Sequence, residues 1–280
     1  MSAPSTWLIT GVSSGLGRSI AEAVAARGDF VCGTVRREDD RLAFEQLAPG
    51  RAVGFVLDVT DEDALHAAAA AAEALGGGVD VLVNNAGYGL TGAVEEASLA
   101  EIREMFEVNV FGAVAAIQAV LPFMRARRRG HIVNITSVSG LAAWAGTGIY
   151  CGSKFALEGI GQALAQEVAG LGIRVTNVAP GGLRTDYASR SLRRSARTID
   201  DYEGPGHLAT QILADHAGQE SGDPARAAKA ILEMVASDTP PLHLLLGADA
   251  MHYATRSMGT FQVEMGEWAA LTLSTAFPKS

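Results

Sequence analysis

Two cysteines in 280 residues are too few to staple a fold. Cys32 falls in an apolar, strand-like run and Cys151 in a helical one, so neither a disulfide framework nor a metal cluster is expected. Basic residues are also scarce: 22 lysines and arginines face 31 acids, a net charge of −9. That balance argues against a nucleic-acid partner, which calls for a strongly basic face. The one dense basic run, Arg125, Arg127, Arg128 and Arg129, follows a long apolar helical pattern and reads as a solvated helix end at the negative pole of the dipole. Long uninterrupted apolar runs are missing too. The most apolar stretch, residues 110–124, contains Gln118 and Pro122, is too short to span a bilayer and reads as a buried helix. No basic-then-apolar leader precedes the strand-like TWLIT near the N-terminus. No signal peptide and no membrane partner are expected, and a reducing, cytoplasmic setting is the default.

What is present is apolar content of 48 %, ample for one core, arranged in a repeating order. Short β-rich runs (TWLIT, FVCGTVR, RAVGFVLDV, VDVLVNN, GHIVNITS, IRVTNVAP and LHLLLG) alternate with helical patterns starting near Gly15, Asp39, Asp61, Ser98, Gly148 and Asp223. Asp61 and Asp223 read as N-caps, with Pro224 suited to a first helical turn. Such alternation predicts an α/β fold, a doubly wound parallel sheet of about seven strands between two helical layers, in a single domain over 1–280. The rhythm breaks from about Tyr187 to Gly222, where a lid or a disordered loop is expected. A last amphipathic segment, within about 248–280, carries Met251, Met258, Phe261, Met265 and Trp268. It reads as a helix packed on the core or on a second subunit.

After the first run comes TGVSSGLG, with Gly11, Gly15 and Gly17 around Ser13, Ser14 and Leu16. Glycines admit positive φ and close backbone approach, so the loop amides and the following helix N-terminus suit a pyrophosphate. In a dinucleotide-binding unit the residue about 20 positions on meets the adenosine ribose, an acid for a 2′-hydroxyl or an arginine for a 2′-phosphate. Arg36 and Arg37 stand there, favouring NADP(H) over NAD(H); a two-residue shift of register would bring Glu38 to the ribose instead. Asp58 and Val59 end the third run near the adenine edge. The fourth ends in Asn84, Asn85, Ala86 and Gly87, suited to line the cofactor's path, although Asn84 alone is equally suited to bonding neighbouring loops.

Tyr150 and Lys154 lie one helical turn apart, and Ser137 closes the fifth run just upstream. A phenol has an ordinary pKa of about 10 and exchanges protons at neutral pH only beside a cation that stabilises the phenolate. Ser137 can hydrogen-bond a carbonyl or alcohol oxygen while the tyrosine gives or takes a proton. By itself the pair is an ordinary spacing for a surface helix.

Taken together, TGVSSGLG, NNAG, Asn109 in FEVNVFG, Ser137, the YCGSK of Tyr150 and Lys154, and PGGLRT from Pro180 to Thr185 resemble the short-chain dehydrogenase/reductase family over positions 6 to about 185. Twelve residues separate Ser137 from Tyr150, as in that family. The resemblance implies a Rossmann-type fold and hydride transfer between a nicotinamide and a ketone or secondary alcohol. It implies Tyr150 as the acid/base, Lys154 lowering its pKa and binding the nicotinamide ribose, and Ser137 polarising the substrate oxygen. Asn109 would hold a water linking Lys154 to solvent, and Pro180, Gly181, Leu183 and Thr185 would border the carboxamide. A finer similarity, to hydroxysteroid dehydrogenases and related bacterial oxidoreductases, carries no inference of steroid activity. Leu141, Trp144 and Tyr187 suit an apolar wall for a bulky substrate, or Trp144 packs the lid. Segments 99–125 and 150–170 are where members dimerise, implying a homodimer or homotetramer. A cofactor sensor without chemistry is the rival reading, and it predicts damage at Ser137, Tyr150 or Lys154, all intact.

Overall fold

In the computed structural model, which describes residues 4–186 and 191–277, the short apolar runs pair side by side and the polar-faced segments between them coil into helices. In chain order the first half contains β1 (Thr6–Ile9), α1 (Gly15–Arg27), β2 (Phe30–Val35), α2 (Glu38–Glu45), β3 (Ala52–Val56), α3 (Glu62–Glu73), β4 (Val79–Asn84), β5 (Gly89–Thr91) and α4 (Leu99–Phe106). A π-helical turn, Glu107–Phe111, leads into α5 (Gly112–Arg127), β6 (Gly130–Ile135), α6 (Gly148–Val168) and β7 (Ile173–Pro180). Then follow β8 (Leu192–Arg194), α7 (Pro205–Asp215), α8 (Pro224–Ala236), β9 (His243–Leu246), α9 (Ala248–Glu267) and α10 (Ala269–Leu273).

Seven strands form one parallel sheet in the order β3-β2-β1-β4-β6-β7-β9, the doubly wound arrangement expected from the alternation. Both faces are buried because side chains of a strand alternate in direction. Trp7 and Ile9 of β1 join Ile20, Val24 and Ile231 on one face, while Leu8 joins Leu65, Ile117 and Val120 on the other. The strand order reverses between β1 and β4, so the loops after them part and open a crevice at the carboxyl edge. Helix starts follow the sequence: Asp61 Oδ1 accepts from the Ala64 amide (3.0 Å), and Asp223 Oδ1 from the Ala225 amide (2.8 Å) behind Pro224.

Four expectations change. The segment expected to be a lid or a disordered loop contains regular elements from residue 191: β8 pairs with β5 in a second, two-stranded parallel sheet, and α7 follows. Three-residue strands are too short to show a period in sequence. The apolar run of 110–124 belongs to a helical stretch, Leu99–Arg127, which is long and apolar enough by length and composition to cross a membrane. Only the length differs from expectation: it packs on α3 and β4 as the buried helix expected, with half its most apolar window buried. The arginines beyond it are not simply solvated: Arg127 pairs with Glu73 and donates to the Val79 carbonyl, Arg129 pairs with Asp80 at 2.8 Å, and Arg128 donates to the Gly170 carbonyl. Finally, α9 is a helix as expected, but only its first turns pack on this chain's core, through Ala250 and Ala254; from Met258 to Trp268 every residue is exposed.

Candidate active site

The glycine loop closes against the end of β4. Gly11 and Gly15 hold φ of +73° and +59°, a left-handed backbone that residues with a Cβ adopt at a cost. A methyl on Gly17 would collide with the Asn85 amide and the Gly11 carbonyl, so only glycine lets α1 begin this close to the neighbouring loop. Ser14 is the N-cap of α1 without a side-chain hydrogen bond, which leaves the helix's first amides for an anion. Ser13 is exposed at the loop's tip, whereas Leu16 points into the core, so Leu16 offers the crevice only its backbone.

Asn85 donates its side-chain amide to the carbonyls of Thr10 and Gly11 (2.9 Å each), and the Asn85 and Ala86 amides both donate to Thr10 Oγ1 (3.0 Å each). Asn85 therefore shapes the glycine loop from beneath. Thr10 was not singled out in the sequence, although its place as the last residue of TWLIT was the available signal. Gly87 comes next, flanked by Asn109 and Lys154: a methyl there would sit 3.0 Å from Asn109 Oδ1 and 3.7 Å from Lys154 Nζ.

At the far edge of the crevice β2 ends at Val35, and Arg36 stands exposed immediately after it with no ion-pair partner among the described residues. Arg37 is engaged by Asp40 through two hydrogen bonds of 2.9 Å, and Glu38 by Arg41 at 3.0 Å. Asp58 is exposed and accepts from the Thr60 amide and hydroxyl (3.0 and 2.8 Å), while Val59 turns its side chain into the core. The PGGLRT run leaves β7 and folds back over the glycine loop. The Gly181 amide donates to the Leu246 carbonyl (2.8 Å) and the Gly182 amide to Asp249 Oδ2 (2.7 Å). Leu183 packs on the core, and Thr185 Cβ lies 3.8 Å from where a Gly15 methyl would be.

Ser137 leaves β6 in extended backbone and accepts from the Ser139 amide (3.0 Å). Tyr150 is half-buried in the first turn of α6. Lys154, 6 % exposed, donates from Nζ to the Ile135 carbonyl (3.0 Å), and its ammonium lies 5.8 Å from the Tyr150 ring centroid. Burial pushes this ammonium down to about 8, against the upward pull of Glu158 one turn further along α6. Asn109 is carried inward by the π-helical turn, an extra residue in the helix that the sequence does not announce. Its side chain accepts from the Tyr88 amide (3.0 Å) and donates to the Tyr88 carbonyl (2.9 Å) and Ser153 Oγ (3.1 Å).

Beneath these groups runs a polar chain that was missed. Asn84, Asn134 and Asn177 are in register across β4, β6 and β7, each donating its amide onward: Asn84 to Asn134 (2.9 Å), Asn134 to Asn177 (3.0 Å) and Asn177 to Glu158 (2.7 Å). Thr136 also donates to Glu158, at 2.6 Å. The four-residue step from Lys154 to Glu158 was the signal. Of the expected apolar wall, Tyr187 lies outside the described residues. Trp144 packs edge-on against Tyr253 of α9, with centroids 5.3 Å apart, and Leu141 is half-buried nearby in sequence.

Known proteins resemble this chain over nearly its whole length. Residues 5–195 match the short chain dehydrogenase family. The chain is 35 % identical over 272 residues to oxidoreductase BOA17 of Botryotinia fuckeliana, covering 96 % of this chain and 98 % of that one. A short-chain dehydrogenase structure from Streptomyces avermitilis superposes with a TM-score of 0.92 at 40 % identity, covering 99 % of this chain and all of the other. The structure of ElxO with NADP bound superposes with a TM-score of 0.73 at 26 % identity over 89 % of this chain and 99 % of its own.

Proposed function

This chain belongs to the short-chain dehydrogenase family and is an NAD(P)-dependent oxidoreductase, and we propose that it prefers NADP(H) and interconverts a ketone and a secondary alcohol with Tyr150 as acid/base. The observation that carries the reading is the buried Lys154 ammonium, held by the Ile135 carbonyl 5.8 Å from the Tyr150 ring. A bound nicotinamide supplies or accepts the hydride. The protein supplies the rest.

The loop amides from Gly11 to Gly17 and the start of α1 would hold the pyrophosphate, with Asn85 keeping that loop in shape. Ser137 holds the substrate oxygen, and Tyr150 gives a proton to the alkoxide formed in reduction or removes one from the alcohol in oxidation. Lys154 stabilises the phenolate electrostatically, and Asn109 fixes the Tyr88 backbone beside it. Asp58 and Val59 would border the adenine edge, the NNAG run would line the cofactor's path, and Pro180 to Thr185 would border the nicotinamide carboxamide. Preference for NADP(H) is supported by Arg36, which follows β2 and has no ion-pair partner among the described residues, while two nearby acids, Glu38 and Asp40, are held by Arg41 and Arg37. Binding of NADP by ElxO points the same way.

The test is a panel of ketones and secondary alcohols followed by absorbance of the reduced nicotinamide, with Tyr150→Phe as control. Tyr150→Phe should bind cofactor normally and lose roughly two to four orders of magnitude in turnover. Near-normal turnover would remove Tyr150 from the proton transfer.

A further inference from the structure

Where β9 ends, Gly247 turns the chain into α9, and Asp249 in the first turn of that helix reaches across to the run after β7. Its Oδ2 accepts from the Gly182 amide at 2.7 Å, a partner 67 residues away in the chain. Asp249 is half-buried and has no ion-pair partner among the described residues. Two glycines make room for it. A methyl on Gly181 would collide with both carboxylate oxygens, and one on Gly247 with Oδ1. Gly181 does not hold a left-handed backbone, so strain gives no reason for its missing side chain, whereas space for the carboxylate does.

The run that Asp249 holds leaves the carboxyl end of β7 at Pro180 and reaches the glycine loop at Thr185. Three further bonds fasten it, each from backbone to backbone: the Gly181 amide to the Leu246 carbonyl (2.8 Å), the Gly222 amide to the Gly182 carbonyl (3.0 Å) and the Arg184 amide to the Gly222 carbonyl (2.8 Å). An acid in the first turn of a helix ordinarily serves the positive end of that helix. Asp249 stands where it can do so, yet its hydrogen bond leaves the helix for a turn at the crevice. The same end of α9 packs on Val138–Gly140, directly after Ser137, and Tyr253, one turn on from Asp249, meets Trp144.

We propose, on the reading that Pro180 to Thr185 border the nicotinamide carboxamide, that Asp249 is a positioning residue for that ring. By holding the Gly182 amide it fixes the backbone of Gly181, Gly182 and Leu183, and it ties this turn to the helix that stands on the Ser137 loop. Two adjacent glycines without that bond have a wide choice of backbone conformations. A charge-assisted bond to a carboxylate narrows the choice, and hydride transfer needs it narrow, because a displacement of about 1 Å can cost roughly a hundredfold in rate.

The test compares two ligands on the full chain by calorimetry: the reduced cofactor, and the same molecule without its nicotinamide (ADP-ribose for NADH, 2′-phospho-ADP-ribose for NADPH). In Asp249→Ala the reduced cofactor should bind roughly tenfold more weakly, while the fragment binds as it does to wild type. Asp249→Asn keeps an oxygen able to accept from the Gly182 amide and should return the affinity to within about threefold of wild type. Gly181→Ala displaces the carboxylate from the other side and should reproduce the loss. Adding Asp249→Ala to it should cost little more, because both changes act on one contact. Equal weakening of both ligands, an unchanged affinity for the reduced cofactor in Asp249→Ala, no recovery in Asp249→Asn, or additive losses in the double variant overturns the proposal. A fragment that does not bind the wild-type chain overturns the cofactor reading itself, and the role of Asp249 with it.

Discussion

Asn177 donates its side-chain amide to both the main-chain carbonyl and the carboxylate of Glu158, at 3.0 and 2.7 Å. With Thr136 as a further donor, the buried carboxylate is held one turn from Lys154, where it favours the ammonium. Removing that charge in Glu158→Gln makes Lys154 lose its proton more readily. Since the proposed mechanism needs the ammonium, the alkaline limb of the kcat/KM profile should move to lower pH, by about one pH unit. An unmoved limb would assign Glu158 to tying β6, β7 and α6 together and nothing more.

Lys154 also makes stability depend on pH. Its ammonium holds a proton up to about pH 8 in the folded chain and up to 10.5 when unfolded. Between those values the unfolded chain binds more protons, so stability rises with pH, and below about 8 the full burial cost of roughly 3 kcal/mol is present. Urea midpoints of the cofactor-free protein at pH 7.5 and pH 10, compared with those of Lys154→Met, check this. The variant should be the less pH-dependent of the two over that range.

Arg36→Asp should reverse the cofactor preference. Losing a charge-assisted contact to a 2′-phosphate costs about 1.5–3 kcal/mol, a rise of roughly 10- to 100-fold in the KM for NADPH, with NADH little affected or improved. Steady-state kinetics with both cofactors decide it; an unchanged ratio would sink the assignment.

Glu96 joins the segment after β8 to the loop before α4, accepting from the amides of Ala93 and Ile199 and from His207 Nε2, each at 2.7 Å. Burial pushes its carboxyl up, but the bond to His207 and the two amides outweigh it and bring the value down to about 2 from 4.5. A lowered folded value means stabilisation that is complete above about 4.5 and lost as pH falls through about 2. Glu96→Ala leaves two amides unpaired, at a cost of about 1–3 kcal/mol. Amide hydrogen exchange at Ile199 and across α7 should accelerate in the variant; equal protection would show that the latch does not hold this segment.

The main sheet was legible because its strands are buried on both faces and read as continuous apolar runs such as VDVLVNN. The helix starts at Asp61 and Asp223 were legible because a cap is a local interaction between a side chain and amides two or three residues away. Local chemistry also exposed the glycine loop and the step from Tyr150 to Lys154. What stayed hidden depends on partners far along the chain. The β5–β8 pair joins residues about a hundred positions apart, and neither strand is long enough to show a period. Asn84, Asn134 and Asn177 look like three unrelated asparagines until strand register sets them side by side.

By itself the sequence determined the order of the seven main-sheet strands, the glycine loop and the one-turn step from Tyr150 to Lys154, since these rest on spacing within one turn or one strand. Only the tertiary structure decided that Asn85 braces that loop, that Arg37 is engaged by Asp40 while Arg36 has no ion-pair partner among the described residues, and that Glu158 lies beneath Lys154 in a buried asparagine chain. Burial and charge pairing are properties of neighbours in space, and a linear order of residues does not say who those neighbours are.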